Sequence, residues 1–330
     1  MLKISRLTIL LILVLLMISL AIWVGSVHSQ GIQGVKIVVT FPFMIKDIEA
    51  LLCENDDVYY LVPPGVDPHD YQLTYRDIEI LSRANLIVST AHTPFELKIR
   101  EMVLSGELKA KLIEIPSITN ISLLIIPGSS NINYHGVLFH GNNFAIFIEN
   151  ITSILTHLRP QCREVYLSKS RTLIDKIEKT SSKPLKDLKT IVDTPPLQYL
   201  ASWFGAEVIQ ILITEHGVPV APQDIEKAEE YLRIYRENTL VIVTEDSPAR
   251  NLLEDFAHRY GAKLLVIPNP ITSTDSIAEY LEDFYNRTAM ILTSTTTRYT
   301  SPSIDYNKLI IMLSAIIIMI AVVGLRFKRR

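Results

Sequence analysis

The sequence predicts an α/β protein of two lobes, each a mainly parallel sheet with helices on both faces. A long connecting helix joins the lobes, with an N-terminal signal before them and a C-terminal transmembrane helix after them. Three observations carry this. Short β-branched runs alternate with amphipathic stretches twice along the chain, the pattern of parallel sheets covered by helices. A charged stretch of helical period stands between the two sets. An apolar run flanked by basic residues sits at each end.

The first lobe is assigned to residues 31–158. Residues 36–40 (KIVVT) read as a buried strand, 44–53 as a helix, 58–62 as a second strand, 75–84 as a helix and 86–89 as a third strand. Residues 159–183 carry Val165, Leu167, Leu173, Ile174 and Ile177 near helical period and contain no short Gly/Ser linker. The connecting helix is therefore placed at 159–188, where it limits hinge motion. In the second lobe, 189–292, strands at 190–192, 207–212, 240–244 and 263–267 alternate with helices at 197–204, 224–237, 251–260 and 276–285. Open α/β sheets bind ligands outside the carboxyl ends of their strands, so a solute belongs in the cleft between the two sheets.

At the N-terminus Lys3 and Arg6 precede an apolar run at 7–24 and small residues near 25–30, so residues 1–30 form a signal peptide or an uncleaved signal anchor. A second apolar run, 309–325, ends in Arg326, Lys328, Arg329 and Arg330. Residues 308–330 thus read as a membrane span with a basic cytoplasmic tail, preceded by a Ser/Thr-rich stalk at 293–307. Both ends place 31–307 outside the cell. Sequons begin at Asn120, Asn150 and Asn286, as suits an exported chain. An outside location permits Cys53 and Cys162 to pair, and two separate buried thiols fit the sequence equally well. The net charge of −3 gives no basic face for a nucleic-acid partner. No G-x-S-x-G or H-E-x-x-H motif occurs, and nothing else marks an enzyme.

The densest chemical signal is LVPPGVDPHDYQ at 61–72, between a strand and a helix. Pro63, Pro64 and Pro68 fix φ and stiffen the loop, and Gly65 permits a turn. Such a loop holds one imidazole, His69, at a cleft, where Asp67 or Asp70 can orient the ring.

The stretch 36–89, with VVTFPF and LVPPGVDPHDYQLTYRDIEILSRANLIV, resembles the first lobe of the zinc- and manganese-binding receptors of ABC importers. The resemblance implies that His69 is the first metal ligand and that zinc or manganese is the transported ligand. It also implies an ABC permease as partner. By the same resemblance the second ligand is His135, or His140 in its place, within NYHGVLFHGNNF at 133–144. The family's third ligand position falls on Thr194, with the neighbouring Asp193 able to serve, and the fourth falls on Asn269. The metal set implied is therefore His69, His135 or His140, and Asp193, with water completing a zinc site.

Elsewhere, Asp275 is assigned to capping the helix at 276–285, and Glu245 and Asp246 to lining the cleft or starting the next helix. His92, His157, His216 and His258 stand alone in the sequence and are assigned structural or solvent roles. Thr194 and Asn269 also fit a different class of protein, a receptor-like accessory or interaction module that has lost its metal.

Overall fold

The computed structural model describes residues 34–293, apart from 181, 215–217 and 274. The expected signal, the span, and all of the stalk beyond Thr293 lie outside the described residues, as does His216. Among the described residues, no helix is long and apolar enough to cross a membrane.

The chain folds into two α/β lobes. The first sheet is built from β1 (Lys36–Val39), β2 (Asp57–Tyr60), β3 (Leu86–Ser89) and β4 (Lys111–Glu114), in the order β2-β1-β3-β4. All its pairings are parallel. Helices α1 (Ile45–Leu51), α2 (Tyr75–Ser82) and α3 (Pro94–Leu104) connect these strands. A short antiparallel hairpin, β5 (Leu124–Ile125) and β6 (Ile132–Asn133), leads into a 3-10 turn at Val137–Phe139.

The second sheet, from β7 (Lys189–Val192), β8 (Glu207–Ile211), β9 (Thr239–Thr244) and β10 (Lys263–Ile267), has the order β10-β9-β7-β8 and is also parallel throughout. Read from its other edge, this repeats the plan of the first sheet. Each lobe therefore has a topological switch point, between β1 and β3 and between β7 and β9, and the chain departs on opposite sides there.

Two helices join the lobes where the sequence suggested one. Between them, α4 (Gly141–Leu158) and α5 (Arg163–Glu178) are separated by a 3-10 turn at Pro160–Cys162. Pro160 cannot donate to a continuing helix, so the chain turns there and α5 begins afresh. The junction is fastened to the first lobe. Arg159 forms a buried ion pair with Asp56 at 2.7 Å, and the Tyr166 hydroxyl donates to the same carboxylate at 2.6 Å. Asp56 also accepts from the backbone N–H groups of Val35 and Cys53. Cys53 and Cys162 form a disulfide across 109 residues, with Cα atoms 6.2 Å apart.

The remaining helices are α6 (Pro196–Trp203), α7 (Pro222–Tyr235), α8 (Arg250–Tyr260) and α9 (Ile277–Thr293). One apolar core runs through both lobes, from Ile37 and Val88 through Phe144, Phe147 and Tyr166 to Ile242 and Leu265. A second core, with Val241, Leu253 and Phe256, backs the second sheet.

The N-terminus of α9 is held from the other lobe. Asp47 of α1 accepts from the Ser276 hydroxyl at 2.6 Å and from the Ile277 N–H at 2.7 Å. Asp275, assigned to this cap from sequence, instead accepts from the Ser273 hydroxyl within its own turn.

Candidate metal centre

Two loops at the carboxyl edge of the first sheet and the loop after the β5–β6 hairpin bring three imidazoles together. His69 lies on the loop after β2, His92 on the loop after β3, and His135 on the loop after β6. Each offers a ring nitrogen, and the three nitrogens lie within 4.8 Å of one another. Ring centroids are 4.6 Å apart for His92–His135, 5.8 Å for His69–His92 and 5.9 Å for His69–His135. Around a zinc ion at about 2.0–2.1 Å from each nitrogen, the donors stand about 3.4 Å apart, so the rings draw in by a small movement when an ion enters. His69 is exposed, and the other two are half-buried.

Each loop has a local reason for its shape. At His69, the Asp67 carboxylate accepts from the His69 N–H at 2.9 Å and tightens the turn, and the Tyr71 hydroxyl donates to Asp77 at the start of α2. At His92 the preceding Ala91 adopts φ +63°, a left-handed conformation that costs a residue with a Cβ about 1–2 kcal/mol. Ser89 accepts from the Ala91 N–H at 2.9 Å, which helps to hold that turn.

The carboxylate of Glu96, buried at the start of α3, gathers this loop. It accepts from the backbone N–H groups of Thr90, His92 and Thr93 and from the hydroxyls of Ser89, Thr90 and Thr93. The one hydroxyl proton of Thr90 goes to Glu96, so the 3.0 Å contact between Thr90 Oγ1 and His92 Nδ1 has the ring as donor. That fixes the proton on Nδ1 and leaves the Nε2 lone pair free for a metal. Burial pushes the Glu96 carboxyl up, and the Thr40 hydroxyl, then the neighbouring His92 and the Thr90 donors, more than offset it, so the group stays below its usual range.

His135 is steered by the second lobe. Its N–H donates to Asn133 Oδ1 at 2.9 Å, while Asn133 Nδ2 donates to the Pro195 carbonyl at 2.8 Å and to Gln198 Oε1 at 2.9 Å. The hairpin before it is tied to α6 as well, because Gln198 Nε2 donates to the Ile125 carbonyl and the Tyr199 hydroxyl accepts from the Leu124 N–H. Gly136 follows at φ +75°, and a Cβ there would meet the Pro196 Cα at 2.6 Å, so only glycine lets the loop lie so close to α6. Burial, and next the two neighbouring imidazoles, hold His135 down to about 4. Burial lowers His92 too, partly offset by Glu96. Both rings are therefore neutral at neutral pH, the form that binds metal.

The other sequence candidates stand elsewhere. His140 lies beyond the 3-10 turn, where its ring packs edge-on against Trp203 of α6 with centroids 5.3 Å apart. Asp193 follows directly on β7 and is fully buried. It accepts from the Thr244 N–H at 2.9 Å and the Thr244 hydroxyl at 2.7 Å, stitching β7 to β9. Burial raises its pKa against those donors. Asn269 is likewise occupied: Nδ2 donates to Asp246 at 3.1 Å and Oδ1 accepts from the Ile271 N–H at 3.0 Å. His157 donates to the Ser153 carbonyl within α4, and His258 is exposed on α8. His92 carries no motif in sequence. The only signal that points to it is its place just after a strand, at the same sheet edge as His69.

His92 and His135 border a cleft lined by Phe41, Phe43, Ile115, Val137 and Leu138 of the first lobe and by Ile271 of the second, with Pro68 of the His69 loop at its edge. Its volume is about 490 Å³ including the open mouth. Two parallel α/β lobes around such a cleft define a two-lobe solute-binding receptor.

The comparisons with known proteins agree. Residues 37–293 match the family described as "ZnuA: Zinc-uptake complex component A periplasmic". The chain belongs to this family, whose members are binding components of uptake systems and not enzymes. It is 24% identical over 266 residues to the iron-binding protein YfeA of Yersinia pestis, covering 76% of this chain and 83% of that protein. It is 22% identical to the high-affinity zinc uptake system protein ZnuA of Bacillus subtilis, covering 74% and 80%. Among solved structures, the Pseudomonas aeruginosa binding protein FpvC in complex with Ni²⁺ superposes with a TM-score of 0.64 at 17% identity, over 81% of this chain and all of that one.

Proposed function

We propose that the chain is the metal receptor of an ABC importer and takes a zinc-type divalent cation at His69, His92 and His135. The observation that carries this is the convergence of three ring nitrogens within 4.8 Å, two of them on imidazoles that burial keeps neutral and one backed by the Thr90–Glu96 relay. Three imidazoles with an open fourth position suit zinc, nickel or iron, whereas manganese favours carboxylate and carbonyl oxygen. Among the described residues no carboxylate joins the group, which supports zinc over manganese.

The apolar runs and basic flanks at both ends support a tether. On this reading residues 1–30 direct export, 31–158 and 189–292 form the lobes around the connector at 159–188, and 308–330 anchor the protein through the stalk at 293–307. The receptor then passes its ion to a permease in the same membrane.

Thr194 and Asn269 at the family's ligand positions, with Asp193 engaged by Thr244, favour the accessory-module reading. Calorimetric titration of the metal-stripped, full-length protein decides between the two. One-to-one zinc binding, far tighter than manganese binding and lost in His92→Ala, supports the receptor. A folded protein that binds neither ion overturns it.

A further inference from the structure

The donor set leaves a charge to be met. Three neutral imidazoles give a divalent cation no neutralisation, and the nearby carboxylate, Glu96, already serves His92 through Thr90. Among the described residues no second-lobe carboxylate joins the group: Asp193 is closed into the β7–β9 seam, and the Asn269 amide is occupied. Phe41, Phe43, Val137 and Leu138 wall the cleft beside the rings with apolar surface, where an uncompensated double charge is costly. The cleft beside the rings is open at its mouth, so a small ligand can reach the ion from that side.

We propose that the fourth coordination position, facing this cleft, takes a small organic carboxylate, so that the cation is carried as a ternary complex with a monoanion. The carboxylate oxygen binds the metal and lowers its net charge, and a short aliphatic tail lies against Phe43, Val137 and Leu138. Ile271 reaches the same space from the second lobe, so the tail also gives that lobe something to close upon. This inference rests on the three-histidine reading.

Cobalt(II) tests it, because its visible bands report ligand exchange directly. Full-length protein loaded with cobalt is titrated with isobutyrate, acetate and chloride, and zinc affinity is measured with and without isobutyrate. The expected result is a saturable spectral change with isobutyrate at lower concentration than acetate or chloride, with zinc binding about tenfold tighter in its presence, a coupling of ordinary size. Bands that respond to none of the anions overturn the proposal while leaving the three-histidine site standing. A response to chloride as strong as that to isobutyrate overturns the carboxylate class. Absence of cobalt and zinc binding removes the site itself, and with it the proposal.

Discussion

Asn133 Nδ2 donates to Gln198 Oε1 at 2.9 Å, and this contact ties the loop that carries His135 to the first helix of the second lobe. The same carboxamide accepts from the His135 N–H, so the position of α6 is transmitted to a ring of the candidate metal centre. The second lobe thus acts on the candidate site through the His135 backbone.

Asn133→Ala removes that link and orphans the His135 N–H. A lost buried hydrogen-bond network of this kind costs about 1–3 kcal/mol. The variant is expected to melt earlier and to bind zinc about tenfold more weakly, read by competition with a chromophoric chelator. Unchanged affinity in a destabilised protein would confine Asn133 to a structural role.

Glu96→Gln keeps the shape of the loop and removes its charge. Partners behind a metal-bound histidine commonly change metal affinity by about 10–100-fold. A loss in that range is expected, with the melting temperature lowered as well because Gln offers one acceptor oxygen to a carboxylate's many donors. Zinc titration of wild type and variant checks it.

His140→Ala and Asp193→Asn separate the sequence candidates from the observed cluster. Neither side chain points into the group of three, so each variant is expected to keep zinc affinity within a few-fold of wild type. His92→Ala is expected to lose about 100-fold or more. Asp193→Asn destabilises the β7–β9 seam through its two Thr244 contacts, visible as a lower melting temperature.

Asp47 gives a pH signature. Burial pushes its carboxyl up to about 6 from 3.8, against the Ser276 and Ile277 donors. A carboxyl raised by folding binds its proton more tightly in the native state, so its contribution to stability falls as pH rises through that interval. The penalty is fully present above about pH 6 and absent below about pH 4, and it amounts to about 3 kcal/mol. The stability of wild type relative to Asp47→Asn is therefore expected to fall between pH 4 and pH 6, measured by denaturant unfolding. A flat difference would show that Asp47 titrates normally.

The strands were legible because β-branched runs of four to six residues leave little choice, as in KIVV, LIVS and TLVIVT. The repeated sheet plan follows from them. Helix α4 was hidden: GNNFAIFIENITSILTHL opens on residues that form turns and is rich in β-branched and aromatic side chains, which lose rotamer freedom in a helix. Packing of Phe144, Phe147, Ile148 and Ile151 into the shared core overrides that preference. His69 announced itself through its proline-rich loop. His92 did not, because its placement depends on a left-handed Ala91 and on a carboxylate four residues later, neither of which is a sequence pattern. The disulfide was open in sequence for a related reason: the approach of Cys53 and Cys162 is set by how α1 and the α4–α5 junction pack.

X-ray absorption at the zinc edge, on loaded wild type and His92→Ala side by side, tests the three-histidine centre most directly. The predicted spectrum shows three imidazole nitrogens at about 2.0–2.1 Å in wild type and two in the variant. An imidazole count that His92→Ala leaves unchanged would contradict it, placing the ion on a different set of ligands.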